Sequence, residues 1–177
     1  MTIKVDSNIE LKQIELSDSI NVFETIDNER EYLGKWLPFV AITKELEDIE
    51  TFIKSSLNLS KDKLEYTFTI RYEDKFGGII SLKEIDKLNK KAEIGYWISE
   101  KYQKKGIITK SVEKLYDFAF NQEKLNRIQI KCALGNKKSI NIPEKLGFKY
   151  EGIERDGELL TGNKFTDLVI YSKLKND

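Results

Sequence analysis

Around Gly106 the chain places lysines where a helix tolerates them least. The stretch EKYQKKGIITKSVEKL, residues 100–115, brings Lys101, Lys104, Lys105 and Lys110 to the entrance of an amphipathic helix. Ile108, Val112, Leu115 and Ala119 fall at the spacing of one buried helical face. A helix N-terminus carries partial positive charge and unsatisfied N–H groups, so ammonium groups repel it. An anion resolves the conflict. The N–H groups of residues 104–109 converge on one point, and Gly106 lets a ligand approach without a Cβ in the way. Thr109 adds a hydroxyl in the first helical turn. Phosphate or pyrophosphate binding is the chemistry this arrangement suits. Neither GxxxxGK[ST] nor GxGxxG occurs here, so the nucleotide loops of those types are excluded.

A second constraint is an absence. The sequence contains no histidine, which removes Ser-His-Asp and Cys-His catalysis and the commonest metal-ligand sets. No metal site is expected, and a general base must be a carboxylate, a tyrosine, a lysine or a chain of waters. The single cysteine, Cys132, excludes an internal disulfide and suits a reducing cytoplasm. Basic and acidic residues balance at 30 each, so no global field draws the protein to nucleic acid or membrane. Lys131, Lys137 and Lys138 form a small basic cluster, too slight to change that expectation. No apolar run approaches the length of a membrane span, and MTIKVDSNIELK lacks the apolar core of a signal peptide.

The elements that position these residues are legible in the periodicity. The 177 residues, 40% apolar and without a Pro/Gly/Ser-rich linker, suit one domain over 1–177. A short strand is expected around Ile9 to Ile14, then a helix capped by Ser17 and Asp18 through Ile20, Phe23 and Ile26. The Pro-punctuated segment YLGKWLPFV (32–40) follows. Thr43 and an acidic first turn open a second helix bearing Ile49, Phe52, Ile53 and Leu57. Strands are expected at 65–72, 76–85, 92–99 and 127–134, with the lysine-rich helix before the last of these. A short helix over 136–146 and an antiparallel pair at 147–157 and 164–174 close the chain. Only the strands at 92–99 and 127–134 are joined by a long helix, so they should be parallel neighbours in an otherwise antiparallel sheet. The fold class is α+β.

QKKGIIT resembles the Q/R-x-x-G-x-G/A acetyl-CoA signature of the GNAT acetyltransferases, with Gln103 and Gly106 in register and Ile108 in place of the last small residue. YQ-x-K-G-I-x-T is the form found in the ribosomal-protein-serine N-acetyltransferase branch. EYLGKWLPFV, AEIGYWI and IKCALGNKKSINIPEKLGFKYEG resemble further segments of that branch, over residues 32–152. The resemblance implies a mixed, mostly antiparallel sheet with helices on both faces and a splayed parallel strand pair. It implies acetyl transfer from acetyl-CoA to an amine by direct attack in a ternary complex.

On that resemblance, Gln103, Lys104, Lys105, Gly106, Ile107, Ile108 and Thr109 hold the pyrophosphate, with the Ile108 side chain turned into the core. The backbone of Tyr96, Trp97 and Ile98 pairs with the pantetheine arm, and a strand N–H faces the developing oxyanion. Asn136 and Ser139 complete the cofactor site, and Ser139 meets the leaving sulfur. Glu158 is the branch's glutamate and Glu93 the alternative base; Cys132 faces the site. Trp36 and Phe39 wall an acceptor pocket. At pH 7 a lysine amine costs about 4.6 kcal/mol to deprotonate and an α-amine about 1 kcal/mol. Without histidine, a carboxylate acting through water suits a protein N-terminus. A small amine acceptor and a non-catalytic CoA-binding module remain alternatives, and a homo-oligomer is compatible with exposed strand edges.

Overall fold

In the computed structural model, which describes residues 1–62 and 64–177, the chain opens with β1 (Thr2–Lys4) and β2 (Ile9–Gln13). Four helices follow, α1 (Ser19–Asn28), α2 (Arg30–Gly34), α3 (Phe39–Ile42) and α4 (Leu46–Lys61). A meander of β3 (Tyr66–Tyr72), β4 (Lys75–Asp86) and β5 (Lys91–Ile98) leads to α5 (Ile107–Asn121). Then come β6 (Arg127–Ala133), α6 (Lys137–Lys145), and the hairpin β7 (Lys149–Leu160) and β8 (Lys164–Leu174). All eight strands lie in one sheet, ordered β1-β2-β3-β4-β5-β6-β8-β7. Only β5 and β6 pair in parallel, because α5 carries the chain back across the sheet between them.

Strand alternation sorts the core into two layers. Ile94, Tyr96 and Ile98 of β5 share the α5 face with Ile128, Ile130 and Cys132 of β6. Against them α5 presents Val112, Leu115 and Ala119, all fully buried, the stripe expected from its spacing. Trp97 points the other way, into a second layer with Val22, Ile26, Ile49 and Ile53 from α1 and α4. With helices on both faces, Tyr66 to Ile70 of β3 are all buried, and its alternating threonines are not left to solvent. Thr67 shares a 2.9 Å hydrogen bond with Ser81, and Thr69 donates to the Lys12 carbonyl at 3.2 Å.

Local signals explain where the helices differ from expectation. Glu45, not Thr43, opens α4, through a reciprocal capping box with Asp48; Thr43 instead donates its hydroxyl to the Phe39 carbonyl at the end of α3. Glu15 and Asp18 close a similar box around a 3-10 turn, so Asp18 precedes α1 without a side-chain cap of its own. The segment YLGKWLPFV runs from the end of α2 through a turn at 35–38 into α3. The strand β1 was not anticipated; pairing with β2 and the packing of Ile3 on the core hold its three residues.

The feature that positions the site is a split. β5 and β6 pair only at Lys91↔Arg127, Ala92↔Ile128 and Glu93↔Gln129, although β5 continues to Ile98 and β6 to Ala133. On its other edge β5 stays bonded to β4 as far as Gly78↔Ile98. A Cβ at Gly78 would lie 2.2 Å from the Trp97 carbonyl oxygen, so only glycine permits this approach. At Gly95 the ladder is regular, and the missing side chain makes room for Lys83, whose Cε would meet a Cβ at 3.3 Å.

Candidate active site

A cleft of about 1150 Å³ lies between the end of β5, the entrance of α5 and the start of α6. Tyr96, Trp97 and Ile98 line it from the sheet, Gln103 through Thr109 from the loop and first turn, and Asn136 and Ser139 from α6. Trp36 lines its far side, within 3.7 Å of the position a Cβ would take on Gly135. Phe39 does not reach the cleft; it packs on Trp97, ring centroids 6.5 Å apart. Glu93, Cys132 and Glu158 lie outside the cleft lining.

The α5 entrance leaves its backbone N–H groups open. Lys104 and Gly106 both adopt left-handed backbone, φ 61° and 72°, which turns successive N–H groups toward a common concavity. Among the described residues no protein acceptor takes the N–H of Lys104 through Thr109, and no side chain caps α5. A Cβ on Gly106 would meet no atom within 4 Å, so the space before it is open. The Ile108 side chain is buried in the α5 core layer, though the residue also borders the cleft.

The lysines divide. Lys104 and Lys105 line the cleft, Lys105 with its ammonium 4.8 Å from the Tyr72 ring centroid. Lys110 turns away to Asp6 at 2.7 Å, and Lys101 stacks on Tyr102. Lys137, Lys138 and Lys145 approach the cleft from α6. Lys138 donates to Gln103 Oε1 at 2.9 Å, and Gln103 Nε2 donates to the Tyr32 hydroxyl. The Tyr32 hydroxyl in turn donates to the Ile98 carbonyl at 3.4 Å. Tyr32 thereby joins the loop, α6 and the end of β5, a role its sequence neighbours Trp36 and Phe39 obscured. Lys131, grouped with Lys137 and Lys138 by sequence, belongs to the opposite sheet face and pairs with Glu154 at 2.8 Å.

Where the strands part, three polar side chains meet. The Ser139 hydroxyl donates to Cys132 Sγ at 3.3 Å and lies 3.4 Å from the Tyr96 hydroxyl. Tyr96 donates to the Ser139 carbonyl at 3.0 Å. Asn136 fixes the start of α6 by accepting the Ser139 N–H at 3.3 Å. Burial pushes the Tyr96 phenol well above its ordinary value and raises the Cys132 thiol, so both hold their protons at neutral pH. The cluster can donate hydrogen bonds to a sulfur. The Tyr96 side chain was overlooked by sequence reasoning, which used only its backbone.

The other face carries the carboxylates. Lys83, Glu93 and Gln129 stand directly opposite one another across β4, β5 and β6. Lys83 Nζ lies 2.9 Å from Glu93 Oε1, and Gln129 Nε2 donates to Glu93 Oε2 at 3.1 Å. Burial opposes the charge on Lys83, but Glu93 more than offsets it, so the lysine pKa is raised. Both oxygens of Glu93, which is 7% exposed, are therefore engaged. Glu158, half-buried on β7, has no hydrogen bond or ion pair among the described residues. Burial raises its pKa, Lys83 lowers it in part, and Glu93 adds to the rise. A carboxylate with a raised pKa and free oxygens is the better proton acceptor.

Among the described residues no group of His, Cys, Asp and Glu is arranged to hold a metal ion, and no helix is long and apolar enough to cross a membrane.

Comparison with known proteins agrees with this geometry. Residues 8–149 match the family model described as acetyltransferase (GNAT) domain. YdaF of Bacillus subtilis (strain 168), provisionally named a ribosomal N-acetyltransferase, is 38% identical over 177 residues, 99% of this chain and 96% of its own. The ribosomal-protein-serine acetyltransferase of Escherichia coli (strain K12) is 29% identical over 173 residues, 98% of this chain and 96% of its own. A solved structure of the microcin C7 self-immunity acetyltransferase MccE, in complex with acetyl-CoA and AMP, is 31% identical and superposes with a TM-score of 0.91, covering 97% of this chain and 95% of that one. The mixed sheet with its single parallel, splayed pair is the fold of these enzymes, and this chain belongs to the GNAT acetyltransferase family.

Proposed function

We propose that the protein is an acetyl-CoA-dependent N-acetyltransferase acting on the N-terminal α-amine of a protein, of the ribosomal type. The observation that carries the reading is the strand split, with an open nest of N–H groups at one end and the Tyr96–Cys132–Ser139 cluster at the other. The two relatives named for ribosomal-protein acetylation support the choice of acceptor, and MccE with bound acetyl-CoA supports the choice of donor. A cytoplasmic setting goes with this reading.

Acetyl-CoA supplies an activated acyl group and a thiol leaving group. The N–H groups of Lys104 to Thr109 hold its pyrophosphate, with the Lys104 and Lys105 ammonium groups beside them. The unpaired edge of β5 beyond Glu93 offers backbone groups of Tyr96 to Ile98 to the pantetheine amides. Ser139, held by Asn136, places a hydroxyl by the sulfur, and Tyr96 keeps Ser139 in place from its carbonyl side. Glu158 accepts the proton of the incoming ammonium through water. Glu93, fixed by Lys83 and Gln129, contributes negative charge rather than a proton shuttle. Trp36 gives the acceptor an aromatic wall.

The test is incubation with acetyl-CoA and peptides bearing free ribosomal-type N-termini, following thiol release and locating the acetyl group by mass spectrometry. Acetylation at the α-amine is expected. Absence of acetyl-CoA binding by calorimetry would overturn the reading.

A further inference from the structure

The face of the sheet opposite α5 and α6 carries a pattern of charge that the transfer reaction alone does not require. The nest, Cys132 and Ser139 occupy the α5 side of the split, so an amine attacking a carbonyl lodged in the split arrives from the other face. That face has carboxylates on three strands: Glu93 on β5, and Glu154 and Glu158 on β7, with Glu84 of β4 at its exposed, water-screened rim. A site built for a polycation would leave several of these free to meet successive ammonium groups. Here two are already matched, Glu93 by Lys83 at 2.9 Å and Glu154 by Lys131 at 2.8 Å. Gly95 gives up a side chain to admit the Lys83 stem, and Glu93 is almost fully buried, so the first pair is built into the sheet. The same absence of acidic clustering leaves no group of three carboxylates close enough to hold a cation among the described residues.

We propose that Lys83 and Lys131 are specificity-determining residues that leave Glu158 as the one half-buried, unpartnered carboxylate of this face to meet an amine, so that the acceptor face takes a singly charged amine and excludes polyamines. The proposal rests on the N-terminal acetyltransferase reading and deepens it. A second ammonium on the acceptor finds Glu93 and Glu154 already paired, is left only the exposed, water-screened Glu84 at the rim, and meets the ammonium groups of Lys83 and Lys131 beside those paired carboxylates. An α-amine followed by a neutral peptide presents no such charge.

The test uses the full chain, acetyl-CoA, and two acceptors: a lysine-free peptide with a free N-terminal serine, and spermidine. The wild type should favour the peptide in kcat/KM by about a hundredfold or more. Lys131→Gln should raise the spermidine-to-peptide ratio by about tenfold, the size of one lost charge repulsion, through the KM for spermidine. Lys131→Arg should keep the wild-type ratio, and the charge-balanced Lys131→Gln/Glu154→Gln variant should return toward it. Lys83→Gln should act in the same direction; because it strands a buried Glu93, the Lys131 series decides if that variant does not fold. A wild type that acetylates spermidine as readily as the peptide, or a ratio unmoved by Lys131→Gln, overturns the filter and leaves peptide acetylation intact. Failure to acetylate any peptide α-amine overturns both readings.

Discussion

Replacing Gly106 by alanine separates the cost of a backbone shape from the cost of a lost ligand contact. Gly106 sits at φ 72°, and no protein atom lies within 4 Å of the Cβ an alanine would add. The fold therefore feels only the left-handed backbone, about 1–2 kcal/mol, offset by about 0.4–1 kcal/mol from a stiffer unfolded chain. The net is about 1 kcal/mol, or a fall in Tm of about 2–4 °C for a chain of this size. The ligand loses more. The added methyl projects beside the nest of Lys104 to Thr109, and holding a phosphate oxygen away from one charge-assisted N–H contact costs about 1.5–3 kcal/mol. Calorimetry should show CoA binding weakened about 10- to 100-fold, while pantetheine, which lacks the pyrophosphate, binds as to wild type. A variant that loses the expected few degrees yet binds CoA within about threefold of wild type would refute the assignment of this loop to the pyrophosphate.

Three other outcomes follow from the geometry. Glu158→Gln should lower kcat by about 10²–10⁴-fold with unchanged acetyl-CoA affinity. Burial raises the Glu158 pKa, so wild-type activity should fall as pH drops through a value above the ordinary 4.5; the same shift means the folded state is penalised at neutral pH, and the variant's Tm should equal or exceed wild type there, with the gap closing in acid. Gly78→Ala drives a Cβ to 2.2 Å from the Trp97 carbonyl and should cost about 2–4 kcal/mol in denaturant unfolding, with weaker CoA binding because Trp97 and Ile98 shift. Glu151→Gln removes a carboxylate that Arg127 and then Ser172 hold down to about 2; the pair is partly exposed, so about 1 kcal/mol is at stake above pH 4.5, and the Tm difference should vanish as pH falls toward 2.

What could be seen in the sequence was what local pattern controls. The α5 stripe and the alternation in β3, β5 and β6 follow from side-chain periodicity, and those elements lie within a residue or two of expectation. The open, uncapped entrance of α5 was legible because a glycine and a helix start act locally. Glu93 and Lys83 are ten positions apart, and their pairing depends on a register set by an irregular β4–β5 turn with a shift between Lys83 and Asp86. No periodicity encodes that, so the roles of Lys83 and Gln129 were invisible. Tyr32 and the Tyr96 hydroxyl were missed for a related reason, since their partners Gln103, Ile98 and Ser139 come from distant elements. Phe39 shows the converse: an aromatic beside Trp36 in sequence lies beneath Trp97 in space, as core packing.

The three residue pairs between β5 and β6 also divide the sheet into two plates. On one side stand five strands, β1 to β5, paired antiparallel; on the other stand β6, β8 and β7 with α6. Beyond Glu93 the two parts are held together by core packing on α5 and not by ladder hydrogen bonds. Under the proposed function, CoA lying along the split adds hydrogen bonds between the plates where the ladder has none. Hydrogen exchange should then slow far more in the β6–β8 ladder than in the β3–β4 ladder when CoA is added, which makes the acetyl donor a structural part of the enzyme as well as its reagent.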